Sequence, residues 1–388
     1  MKKTLRAAVR RTAALLCALL VLYAPAAAGA GEEAAEPAGM SAKSYILMDV
    51  QSGEVLLEKN ADEALPPASI TKIMTMLLVL EAVERGECAM SDTVTASAHA
   101  VSMGGSQIWL KENEQMTVEE LFKATAVGSA NDAAMALAEH VCGSEEAFVV
   151  QMNARAAELG MENTVFVNPT GLEAEGHVST ARDIALMSKE LLRHEAARTY
   201  SSIWMDTLRG GQTQLVNTNK LVRFYKGCIG LKTGTTDGAG SCLSAAAERD
   251  GMTLCAVVMG CPTSKERFAD ARALLDYGFS AYTVYTPQTA ADALPLLPVT
   301  GGAAEQLPLS LSAEPLLLKK TQAADVKEEL LLPESVEAPV RQGDTVGELL
   351  ITAGDKSVSF AVCAAADVPR LHYFTALALL FSRLFAFA

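Results

Sequence analysis

The chain has 388 residues, 50% of them hydrophobic, 20% charged and 5% aromatic, with a net charge of −14. Half-apolar composition excludes a disordered chain. The acidic balance excludes a general nucleic-acid binder, which needs a basic face to replace counterions, and the few aromatics exclude a base-stacking platform. At about 150 residues per domain, the length predicts two or three domains. A mean hydropathy of +0.20 is high for a protein in water, and the two ends carry that excess.

Residues 1–30 read as a secretory signal peptide. Lys2, Lys3, Arg6, Arg10 and Arg11 precede the apolar run of residues 13–24, Pro25 ends it, and Ala28-Gly29-Ala30 offers a cleavage site. The run is shorter than the roughly 20 residues of a spanning helix. Its removal leaves 27 basic and 46 acidic residues, a net of −19. Seven cysteines then remain, an odd number, and no Cys/His cluster has zinc-ligand spacing. They read as small buried hydrophobes.

Residues 31–40 are small and acidic and read as a linker. Tyr45–Val50 and Glu54–Glu58 flank Gln51-Ser52-Gly53, a hairpin signature. After Pro66-Pro67, the spacing of Ile70, Ile73, Met74, Leu77, Leu78 and Leu80 predicts an amphipathic helix over 68–84, closed by Gly86. Helices are expected at Val118–Val127 and Asp132–Val141, separated by Gly128-Ser129-Ala130-Asn131. Ser144 caps a helix stopped by Gly160, and Thr180 with Asp183 resembles a capping box opening Ala181–Arg193. Strands follow at Cys228–Lys232, Cys242–Glu248 and Met252–Met259, then a helix over Lys265–Tyr277 ending at Gly278. The first and last strands can share one antiparallel sheet with helices packed on it, an α+β fold. From about 283 to 367, short apolar runs and the Gly343-Asp344 and Gly354-Asp355 turns indicate a small all-β domain. Leu371–Ala388, with 14 apolar residues in 18, reads as membrane-associating, either in the interface or as a short anchor.

Three short motifs carry chemistry. Ser69-Ile70-Thr71-Lys72 opens a helix, where residues i and i+3 share a face. A serine hydroxyl needs an adjacent base, and a lysine whose pKa is lowered by burial or by neighbouring cations can serve. Ser129-Ala130-Asn131 adds a hydroxyl and an amide in an interhelical break; alone it reads as a capped turn. Lys232-Thr233-Gly234-Thr235 adds a second cation at a strand end, with a glycine allowing close approach of a substrate to the backbone. His99, His140, His177 and His194 fall in no catalytic pattern and read as surface or capping residues. No metal or organic cofactor is indicated.

S-x-x-K, S-x-N and K-T-G, in this order and 60 then 103 residues apart, form the signature set of the serine penicillin-recognising enzymes. The segments PPASITKIMT, GSANDAAMALAEH, FVNPTGL, STARDIALMSKELL, GCIGLKTGTTDGAGSCLSAAAERDGMTLCAVVMG and KERFADARALLDYGF resemble the D-alanyl-D-alanine carboxypeptidases, low-molecular-mass penicillin-binding proteins of peptidase family S11. The likeness spans about residues 41–281. Residues 282–367 and the apolar segment 368–388 resemble, more loosely, that family's C-terminal β domain and membrane-associating helix.

The resemblance implies the α+β fold shared by serine β-lactamases and penicillin-binding transpeptidases. It implies acyl transfer on a peptidoglycan stem peptide ending in D-Ala-D-Ala. Ser69 would be the nucleophile, Lys72 its general base, and Ser129 the relay to the departing D-alanine. Asn131 would bind the substrate backbone. Lys232, Thr233, Gly234, Thr235 and Arg267 would bind the terminal carboxylate and shape the site. Backbone N–H groups of Ser69 and Thr235 would form the oxyanion hole, and β-lactams would acylate Ser69. The protein would be exported and held at the outer face of the cytoplasmic membrane. The alternatives are a class A-like β-lactamase, a transpeptidase or endopeptidase on the same scaffold, and a silent wall-binding protein. A lactamase would need a glutamate after S-x-N, where this chain reads Asn168-Pro169-Thr170-Gly171.

Overall fold

The computed structural model describes residues 34–290, 293–373 and 376–377. Residues 1–30, expected to be a signal peptide, and most of the apolar C-terminal segment lie outside the described residues. No helix among the described residues is long and apolar enough to cross a membrane. The described chain divides into two compact units, Ala34–Val284 and the residues from Tyr285 onward.

In the first unit, β1 (Ser44–Asp49) and β2 (Val55–Lys59) form the expected hairpin. Helix α1 (Lys72–Glu84) follows a single 3-10 turn at Ala68–Thr71. Then come α2 (Val118–Lys123), α3 (Asn131–Cys142), α4 (Glu145–Glu158), α5 (Ala181–Leu191) and α6 (Glu195–Ser201). The unit closes with β3 (Cys228–Thr236), β4 (Gly240–Arg249), β5 (Met252–Cys261) and α7 (Ser264–Ala281). The five strands make one antiparallel sheet in the order β2-β1-β5-β4-β3. The first and last strands of the unit therefore do share a sheet, and β3, which carries the K-T-G motif, is an edge strand. Helices α5 and α7 pack on that sheet. At the entry, the Asp270 carboxylate accepts hydrogen bonds from Ser41 N, Ser41 Oγ and Ala42 N, tying the first residues to α7.

Helix α1 departs from its amphipathic reading. It is buried without a break from Lys72 to Leu80, including Thr75, Met76 and Val79, because α3, α4, α5 and α6 all pack against it. A helix enclosed on all sides has no solvent stripe to conserve. Gly278 also departs: it lies inside α7, not after it. A Cβ there would sit 2.4 Å from Leu254 Cδ1 and 3.0 Å from Leu47 Cδ2, so glycine lets the helix approach the sheet. The Thr180 hydroxyl caps α5 by accepting from Asp183 N. The Asp183 carboxylate takes Asn163 N and Thr164 Oγ1, and among the described residues it takes no bond from Thr180 N, which a capping box needs.

In the second unit, a four-stranded antiparallel sheet runs in the order Leu309–Leu311, Lys356–Ala364, Thr345–Ala353, Lys327–Leu331. A three-stranded sheet accompanies it, and Leu297, Leu307, Val340, Val362 and Val368 belong to a small core. Gly354-Asp355 forms the two-residue turn expected there, with Gly354 at φ +61°. One short helix, Lys320–Ala323, interrupts the expected all-β pattern.

Candidate active site

The three motifs converge where α1, α3 and β3 meet. Ser69 sits in the 3-10 turn and Lys72 opens α1. That geometry places Lys72 Nζ 3.0 Å from Ser69 Oγ. Nζ also donates to Asn131 Oδ1 at 2.5 Å and to the Thr170 carbonyl at 2.6 Å. Lys72 is fully buried. Its pKa is held well below the ordinary lysine value by burial first, then by the Lys232 charge, with Asp132 opposing. A neutral amine has two N–H groups and one lone pair. As an ammonium Nζ donates to Ser69 Oγ as well; in the neutral form Asn131 Oδ1 and the Thr170 carbonyl, both acceptors only, can take the two hydrogens and leave the lone pair toward Ser69.

Asn131 links the motifs: its Oδ1 accepts from Lys72 Nζ and its Nδ2 donates one hydrogen to the Gly104 carbonyl at 2.6 Å, and a second N–H of that amide remains for a substrate backbone. Ser129 lies between a π-turn (Ala124–Gly128) and α3, with left-handed backbone at φ +63°. That conformation is uncommon for a side-chain-bearing residue and recurs at functional sites. Among the described residues, no hydrogen bond joins Ser129 Oγ to Lys72 or Lys232. Asp132 follows Asn131 and accepts Ile108 N and Leu110 N, holding the 104–110 segment against α3.

The K-T-G strand lies against the nucleophile turn. A Cβ on Gly234 would come within 2.8 Å of the Pro67 carbonyl oxygen and 3.1 Å of Ser69 N. The close approach expected of a substrate is first one of the protein's own backbone. Thr233 Oγ1 donates to Thr218 Oγ1 at 2.7 Å, a neighbour absent from the motif reading. Lys232 is fully buried, its ammonium donates to the Thr233 carbonyl, and burial followed by the Arg267 charge lowers its pKa to about 7.

Arg267 is 7% exposed, which excludes a plain surface role. From the first turns of α7, its Nη1 donates to the Gly234 carbonyl at 2.9 Å and to Thr235 Oγ1 at 2.7 Å. Among the described residues no carboxylate pairs with it, and its Nε is buried without a partner. Three basic side chains, Lys72, Lys232 and Arg267, thus gather at one strand end in an acidic protein. A buried cation without a counter-ion is costly unless an anion completes it.

One wall of the site lies outside the three motifs. Asn168–His177 packs on the nucleophile turn through Lys72 to the Thr170 carbonyl, Thr75 Oγ1 to the Pro169 carbonyl, and His177 to Thr71. His177 is a correction. It is buried, not at the surface; Val167 N donates to its Nδ1, so Nε2 carries the proton and donates to Thr71 Oγ1 at 2.8 Å. Burial pushes its pKa down to about 4. A cavity of about 370 Å³ opens beside this wall, lined in part by Ala68, Gly171, Glu173, His177 and Thr236. The seven described cysteines are all free thiols, four of them buried. Among the described residues no cluster of three metal-ligating side chains occurs.

Comparison with known proteins agrees with this arrangement. The family model of D-alanyl-D-alanine carboxypeptidases, peptidase family S11, matches residues 31–263. The chain is 42% identical to D-alanyl-D-alanine carboxypeptidase DacF of Bacillus subtilis, over 93% of this chain and 95% of that one. It is 36% identical to DacC of Escherichia coli, over 88% and 87%. Penicillin-binding protein 5 of Haemophilus influenzae superposes with a TM-score of 0.75 at 30% identity, covering 87% of this chain and all of that one. Penicillin-binding protein D2 of Listeria monocytogenes, solved with ampicillin bound, gives a TM-score of 0.59 at 34% identity over 63% and 99%. The fold is thus the α+β architecture of these enzymes, and the chain belongs to the D-alanyl-D-alanine carboxypeptidases of peptidase family S11.

Proposed function

We propose that this carboxypeptidase removes the terminal D-alanine from peptidoglycan stem pentapeptides through an acyl-enzyme on Ser69. The observation that carries the reading is the buried Lys72 Nζ, 3.0 Å from Ser69 Oγ and held by Asn131 Oδ1 and the Thr170 carbonyl. Ser69 Oγ attacks the carbonyl between the two D-alanines and its proton passes to Lys72. The oxyanion forms against the backbone N–H groups of Ser69 and Thr235, a pairing supported by the close packing of Gly234 on Ser69 N. As the C–N bond breaks, the proton reaches the leaving amine by way of Ser129. Lys232, Thr233 and Arg267 receive the terminal carboxylate, which supplies the anion this cation cluster lacks. Water then attacks the ester carbonyl, releases the shortened peptide and restores Ser69.

β-Lactams acylate the same hydroxyl. Relatives solved with ampicillin and cefotaxime support this. The lactamase reading lacks its deacylating glutamate, since the turn facing Lys72 is Asn168–Gly171 and offers a backbone carbonyl. Residues 41–281 are read as the catalytic domain and 282–367 as the β-rich domain. Residues 1–30 direct export, and 368–388 hold the enzyme at the outer face of the cytoplasmic membrane. The decisive experiment incubates the protein with a stem pentapeptide and follows the peptide by mass spectrometry. Loss of one D-alanine, abolished by Ser69→Ala, is expected; activity surviving in S69A would remove the nucleophile assignment.

A further inference from the structure

The Asn168–Gly171 turn carries none of the side chains read as catalytic, yet it reaches Lys72 Nζ. Asn168 Oδ1 accepts three hydrogen bonds: from Thr170 N at 3.1 Å, Thr170 Oγ1 at 2.9 Å and Gly171 N at 2.7 Å. Its Nδ2 donates to the Leu172 carbonyl at 2.9 Å. This is an Asx-type turn, in which a side-chain amide fixes the backbone that follows it. The turn is clamped from both sides. Thr75 Oγ1 holds the Pro169 carbonyl at 2.6 Å, and Gly171 packs so tightly that a Cβ would lie 1.9 Å from the Ala68 carbonyl oxygen. The Thr170 carbonyl is left aimed at Lys72 Nζ.

We propose that Asn168 is a positioning residue for acyl transfer: acting through the Thr170 carbonyl, it keeps the lone pair of the Lys72 amine on Ser69 Oγ. The inference rests on the reading of Ser69 and Lys72 given above. Two acceptors, Asn131 Oδ1 and the Thr170 carbonyl, are needed to take both N–H groups of the neutral amine. If the Thr170 carbonyl turns away, an N–H is free to swing toward Ser69 Oγ. The hydroxyl then meets a donor where it needs an acceptor, and proton transfer loses its geometry.

The same carbonyl also favours the charged amine, because a hydrogen bond to the ammonium stabilises it. Other groups facing Lys72 act independently of the turn. Lys232 on β3 disfavours the ammonium and Asp132 on α3 favours it. His177, at the far end of the same loop, is neutral above about pH 4. Loss of the Thr170 acceptor therefore lowers the affinity of Lys72 for its proton. Loosening of the site, with water entering, relieves burial and raises it. The two causes move the acidic limb of a pH–rate profile in opposite directions.

The test compares wild type, Asn168→Ala, Asn168→Asp and Thr170→Val. It measures acylation by a fluorescent penicillin and kcat/KM on a stem pentapeptide across pH, with melting temperatures alongside. In N168A the plateau should fall on the order of tenfold to a hundredfold, and the acidic limb should move to lower pH. T170V, which removes one of the three bonds to Asn168, should move both in the same directions by less. N168D keeps the three accepted bonds, so it should restore much of the plateau, with its added charge moving the limb to higher pH. A wild-type plateau and limb in N168A, or a fallen plateau with the limb displaced upward, would overturn the proposal. Should N168A not fold, T170V and N168D carry the same decision. Release of D-alanine by S69A would instead remove the reading beneath it, so the two failures are distinct.

Discussion

The two compact units treat charge differently. The first buries Lys72, Lys232 and Arg267 together with Asp49, Asp132, Asp183 and Asp270. In the second, among the described residues, every buried side chain is apolar, and its small core is built from Leu, Val and Ala. Burying a charge opposes folding, whereas burying a leucine favours it. The second unit is built as stability alone would build it. The first departs from that pattern at several places: Asp49, Asp183 and Asp270 are buried accepting hydrogen bonds, and the buried basic groups gather where S-x-x-K and K-T-G meet, at the proposed site. Lys72 deep in an apolar helix is a poor choice for stability, and burial there moves its pKa in the direction the proposed base needs.

Substitution at Lys72 tests that contrast most sharply. Lys72→Met, of similar length, should lower penicillin acylation on the order of 10²- to 10⁴-fold, while the melting temperature stays at or above wild type. A large fall in melting temperature would show that the amine supports the fold and would erase the contrast. Leu307→Ala in the second unit should do the reverse. It should destabilise that unit by about 2–5 kcal/mol and leave the acylation rate of the folded protein unchanged; a slowed acylation would break the separation. Arg267→Ala should reduce kcat/KM roughly tenfold to a hundredfold, the loss of a charge-assisted bond. The loss should vanish on a substrate whose terminal carboxylate is amidated. An equal loss on both substrates would move Arg267 from carboxylate recognition to support of β3.

The smallest effect concerns pH. His177 takes up a proton in the folded chain only near pH 4, against about 6.5 when unfolded. Between those values the unfolded chain binds more protons, so stability falls as pH drops from about 6.5 toward 4. This component should amount to about 1–3 kcal/mol and should be absent in His177→Gln. Urea unfolding at pH 7 and pH 5 measures it. Identical pH slopes in wild type and H177Q would show that burial of the ring is incomplete.

Much of this site is written along the chain, because its motifs are local. Ser69 and Lys72 are one turn apart, so helical geometry alone brings them together. Thr180 and Ser144 act as caps because capping is settled within three residues. The misreadings share a cause. Glycine supplies the same signal whether it ends a helix or lets one pack closely, and only the neighbours Leu47 and Leu254 separate the two at Gly278. His177 carries no motif, and its burial follows from a loop folded back onto Thr71, more than a hundred residues away. The most consequential partner of Lys72 outside the motifs is a backbone carbonyl, at Thr170, and every residue has one.

By itself the sequence determined the family motifs that name the proposed reacting groups, the α+β succession of elements and the acidic character of the body. These follow from residue types and short-range spacing, which the chain carries before it folds. Only the tertiary structure decided the charge state and aim of those groups. The Lys72 pKa falls because α3, α4, α5 and α6 enclose its helix, and its Nζ is aimed by Asn131 and Thr170. Lys232 and Arg267 fit the proposed carboxylate receptor because β3 at the sheet edge and α7 bring two cations together, with no carboxylate paired to either among the described residues. Burial and hydrogen-bond direction are properties of distant segments brought into contact, and no spacing along the chain encodes them.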